Sequence, residues 1–88
     1  MSTVVVLFNL KPGVAVEDYE AWARSTDLPT VGGLPSVQRF EVLRATGLLS
    51  GAAEVPYRYV EILQLSSVAG LRADIAATPA MAEVARQF

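Results

Sequence analysis

Apolar and polar positions follow two different rhythms along this 88-residue chain. Residues 3 to 10, TVVVLFNL, are β-branched and apolar at both parities, the pattern of a strand covered on both sides, and KPG ends it. From Val16 to about Thr26 the rhythm becomes helical. VEDYEAWARST sets Tyr19, Trp22 and Ala23 on one side, and Glu17 and Asp18 in the first turn suit the positive end of a helix dipole. Leu28 precedes a proline, so the helix is expected to stop near Asp27, with PTVGGLP as a loop. SVQRFEVLR then alternates, Gln38, Phe40, Val42 and Arg44 against Val37, Arg39, Glu41 and Leu43, which predicts a second strand. After the connection ATGLLSGAAEV, PYRYVEILQL alternates again and predicts a third. Residues 67 to 77 place Val68, Leu71, Ile75 and Ala76 on one helical side behind a Ser67 cap, and Thr78 with Pro79 starts another helix.

The expected order is β-α-β-β-α, a single α+β domain over residues 1–88 of the ferredoxin-like β-α-β-β-α-β kind. That plan asks for one more strand, so the last strand is expected to be absent from this chain and one sheet position unfilled. Both crossovers lie on one side of such a sheet, which leaves its other face to be buried elsewhere. Phe40, Val42, Val60 and Ile62 are assigned to the helix side, and Arg39, Glu41, Tyr57, Tyr59 and Glu61 to the opposite side. Pairing about the middle of the connection would put Arg39 opposite Glu61 and Glu41 opposite Tyr59, a reasonable cross-strand ion pair.

Composition strengthens the case for a partner. The chain is 52% hydrophobic with a mean hydropathy of +0.38, a surplus of apolar surface for a domain this small, and a homodimer is expected. The apolar run VVVLF is far below the roughly 20 residues a membrane helix needs, and no basic residue precedes it as in a secretory signal, so a cytoplasmic protein with no membrane partner is expected. Seven basic residues scattered along a chain of net charge −2 make no stripe for nucleic acid. With no cysteine and no histidine, neither a thiol nucleophile nor a zinc or copper site is expected, and VGGLP lacks the setting of a phosphate loop, so no cofactor is implied.

Acid-base chemistry would then fall to carboxylates or tyrosines. Asp27, at the end of the first helix, and Glu61, in the third strand, are the candidate catalytic groups, since burial beside apolar walls raises a carboxyl toward neutrality. Arg39, Glu41, Tyr57 and Tyr59 mix charge and aromatic rings as a small aromatic ligand requires, although the same alternation also describes a solvated sheet face. Asn9 either orients a ligand carbonyl or finishes a strand.

The segments VVVLFNLKPGV, YEAWARSTDLPTVGGLPSVQRFEVLR, PYRYVEILQL and MAEVARQF together resemble the RedY-like (HapK-like) group of the dimeric α/β-barrel superfamily over nearly the whole chain. The resemblance implies a ferredoxin-like unit that dimerises into a barrel and a part in making or handling a pyrrolic, aromatic or polyketide-like secondary metabolite of prodiginine type. It leaves open an enzyme, a non-catalytic metabolite-binding module or a structural dimer. The same helix-to-proline segment is similar to the wider EthD and stress-responsive barrel proteins, in which a histidine often lies two residues before the proline. Here that position holds Asp27, so a histidine-based mechanism does not carry over.

Overall fold

The computed structural model describes residues 1–87. Strands β1 (Ser2–Phe8), β2 (Val37–Arg44) and β3 (Tyr59–Leu65) form an antiparallel sheet in the order β1-β3-β2. Helices α1 (Val16–Trp22), α2 (Leu28–Gly32), α3 (Val68–Ala77) and α4 (Pro79–Gln87) complete the domain. No fourth strand occurs among the described residues, so β1 and β2 are the sheet's edges.

The helix does not stop at Asp27. A π-helical segment, Ala23–Asp27, joins α1 to α2, and Leu28 N–H reaches back five residues to Ala23 O. This wider turn is the physical reason that Pro29 is tolerated. The proline brings no N–H, and the turn has already displaced the regular ladder with which its ring would collide. The helix ends instead at Gly33, whose N–H bonds Pro29 O. Ser67 caps α3 as its sequence position predicts, accepting from Gly70 N–H at 2.9 Å.

The register of β2 on β3 differs from the expected one by three positions. Arg39 lies opposite Gln64, Glu41 opposite Ile62 and Val42 opposite Glu61. The loop does not fold about its middle, because Asn9 fixes where β3 begins: its amide donates to Pro56 O at 2.9 Å and accepts from Arg58 N–H at 2.8 Å. Ala45 N–H then closes on Arg58 O at 2.7 Å. An odd slip exchanges the faces. Val4, Val6, Phe8, Tyr59, Glu61, Leu63, Phe40 and Val42 therefore face the helices, while Val5, Leu7, Val60, Ile62, Arg39, Glu41 and Leu43 face away.

Two apolar clusters hold helices to sheet. Tyr19, Ala23 and Tyr59 form one, with Phe8 stacked on Tyr59 at a ring separation of 5.5 Å. Val31, Leu34, Val37, Leu63 and Leu65 form the other. The far face of the sheet is bare: Val5, Leu7 and Leu43 are about half exposed there, contrary to the expectation of a first strand covered on both sides.

Candidate functional site

Along the first helical run, Tyr19, Ala23, Asp27 and Val31 recur every four residues and all are buried. Along β3, Tyr59, Glu61, Leu63 and Leu65 recur every second residue on the helix side. In both stripes a carboxylate stands between the two apolar clusters. Asp27 closes the π-helical segment, and Glu61 sits in the middle of the central strand.

These two side chains face one cavity of about 300 Å³ between sheet and helices. Val4, Val6, Phe40 and Leu63 form its floor, and Val31, Leu71, Met81 and Val84 its walls. Asp27 is 5% exposed, and its carboxylate takes no hydrogen bond from any other described residue. Burial without donors disfavours the ionised form and pushes Asp27 up to about 6. Burial, and then the neighbouring Asp27 charge, push Glu61 up to about 7. Two carboxyls are thus poised around neutrality against an apolar wall, an arrangement that suits one as acid and the other as base. Among the described residues no three potential metal-ligand side chains gather.

The other residues singled out in the sequence lie elsewhere. Arg39 and Glu41 pair at 2.7 Å on the bare face, behind the sheet from the cavity, and so do not line it. Tyr57 is exposed just before β3 and Asn9 pins that strand's start. Tyr59 faces the helices but belongs to the aromatic cluster beside the cavity. Its hydroxyl donates to Glu20 at 2.8 Å and is pushed up to about 12 by burial and by that bond, while Glu20 also holds Arg44 at 3.1 Å. The expected grouping of Glu61 with Arg39, Glu41 and Tyr57 is therefore corrected, and Asp27 with Glu61 is the pair brought together. Phe40, Val31, Leu63 and Met81 line the cavity without any chemical mark in the sequence. The available signal was the parity of Glu61 with Tyr59, Leu63 and Leu65, an apolar run on β3 longer than Val60 with Ile62.

The family model described as REDY-like protein HapK matches residues 2–88. The crystal structure of HapK from Hahella chejuensis superposes with a TM-score of 0.80 at 33% identity, covering 100% of this chain and 79% of that one. The structure of At3g17210 from Arabidopsis thaliana gives 0.75 at 21% identity, covering 98% and 80%, a likeness of fold. The chain matches no curated protein. No helix among the described residues is long and apolar enough to cross a membrane.

Proposed function

Because the chain belongs to the REDY-like HapK family, we infer that its helix-side cavity takes a small aromatic or pyrrolic intermediate of secondary metabolism, of prodiginine type, and moves a proton on it. The observation that carries this reading is the pair of buried carboxyls, Asp27 and Glu61, on a cavity whose other walls are apolar. Near neutral pH the Asp27 carboxylate acts as base and the protonated Glu61 as acid. Glu61 delivers a proton to one ring carbon while Asp27 removes one from a neighbouring carbon or nitrogen. The ligand is isomerised with no net change in protons, and the proton passes back from Asp27 to Glu61 directly or through water. The apolar walls keep both carboxyls at working acidity and hold the ring by its faces.

Two copies joined through the bare faces of their sheets are part of the same reading, supported by the exposure of Val5, Leu7 and Leu43. The test is solvent exchange: the protein in D2O with an alkylpyrrole should speed deuterium entry at ring carbon. Asp27→Asn and Glu61→Gln should each slow it by about a hundredfold while the fold is kept. Binding without any acceleration of exchange would instead identify a carrier of such molecules.

A further inference from the structure

We propose that the molecule this cavity selects is a planar cation, one that presents protonated nitrogen with N–H donors in the ring plane, as an amidinium does, and that the cavity turns away carboxylates and phosphates. This assignment rests on the cavity being the ligand site and specifies the ligand's charge. Its basis is the cavity's polar inventory. Asp27 and Glu61 are the ionisable groups among its lining residues, and every other lining residue is apolar. An ionised carboxylate accepts hydrogen bonds and donates none, so above neutral pH, where both have lost their protons, what the pair lacks is donors. A ligand carrying two N–H groups in a plane supplies them and brings the compensating charge.

None of the seven basic side chains lines this cavity. Arg39 is spent on Glu41 at the bare face, Arg44 on Glu20, and Arg86 on Glu83. The Arg58 guanidinium donates to Ala45 O. Lys11, Arg24 and Arg72 complete the set and do not reach the lining. The groups that face the two carboxyls from neighbouring elements add no positive charge either. From α1 comes the Tyr19 hydroxyl, kept neutral by burial. Helices α3 and α4 turn apolar side chains to the cavity, with Asp74 held by Ser36 N–H and Glu83 by Arg86. An anion entering here would meet one or two like charges with nothing to neutralise them, in surroundings that screen poorly.

The experiment uses three probes of nearly one shape and different charge: benzamidine, benzamide and benzoate. Each is titrated into the full chain, with methyl NMR signals of Val31, Leu63 and Met81 reporting cavity occupancy. At pH 8, where both carboxyls are ionised, benzamidine should bind at least about tenfold more tightly than benzamide, and benzoate should move no cavity methyl. The preference should shrink at pH 5. Asp27→Asn and Glu61→Gln should each weaken benzamidine by about tenfold and leave benzamide where it was, with melting curves showing intact folds. Benzamide or benzoate binding as well as benzamidine at those methyls overturns the charge selection and leaves the cavity as the ligand site. If no probe shifts those methyls at millimolar concentration, the cavity is not a site for planar rings, and both readings fall.

Discussion

The two faces of the sheet break the ordinary rule of protein surfaces in opposite directions. On the helix side, where apolar side chains belong, two carboxyls are held with no described donor between the apolar clusters. On the bare side, where polar side chains belong, Val5, Leu7 and Leu43 are about half exposed and the charged pair Arg39 and Glu41 stands among them. Neither face has settled its own solvation. A buried carboxyl gains most from a donor-bearing ligand, and an exposed apolar sheet gains most from another apolar surface. One strand separates the two needs: along β3, Val60 and Ile62 alternate with Tyr59, Glu61 and Leu63.

The largest effect should come from spoiling the bare face. Leu7→Asp removes an apolar contact and inserts a charge, and sedimentation at fixed micromolar concentration should show association weakened by about a hundredfold or more. A variant that sediments like the parent would mean that this face is not the contact between copies.

On the helix face the effect is a pH dependence. Asp27 moves from 3.8 to about 6 and Glu61 from 4.5 to about 7. Between about pH 4 and pH 7 the folded chain therefore holds more protons than the unfolded one, so stability falls as pH rises through that window and levels off above it. Melting at constant protein concentration should drop by at least about 5 °C from pH 5 to pH 8, and the Asp27→Asn, Glu61→Gln double variant should flatten that slope. An unchanged slope in the double variant would place the titrating groups elsewhere. The smallest effect belongs to Arg39→Ala, which breaks an exposed ion pair and should alter stability by no more than about 0.5 kcal/mol in denaturant titration, with binding to the cavity unchanged.

Most elements were legible because their apolar spacing is set by short-range geometry. The three strands, α1, the Ser67 cap and the Thr78-Pro79 restart all follow from residues a few positions apart. The faces were harder, because they depend on register, and register depends on a contact distant in sequence: Asn9 holding Pro56 and Arg58. Both parities of β3 carry apolar residues, so alternation alone did not choose between them. Asp27 was legible from its place before Pro29, although the helix was expected to end there, since a local rule about residues preceding proline does not anticipate a π-helical turn. Glu61 stands out in the sequence by its chemistry, while its face is set by the register that Asn9 fixes, which alternation along β3 does not reveal.

The π-helical turn has one more consequence. Such a turn amounts to one residue added to an α-helix, and in a regular helix each residue is worth about 100° of rotation. The segment Ala23–Asp27 thus sets the phase between the stretch that carries Tyr19 and the stretch that carries Val31. The cavity's carboxyl is placed by a count of residues as much as by its identity. Kept at full length but wound as a regular helix, the chain would carry its acid about 80° out of the stripe, so the wide turn is what lets a four-residue spacing stay on one face. A single-codon loss in that turn would leave a regular helix with the acid seven residues after Tyr19, on the same face, so the cavity would keep its carboxyl and lose only the wide turn.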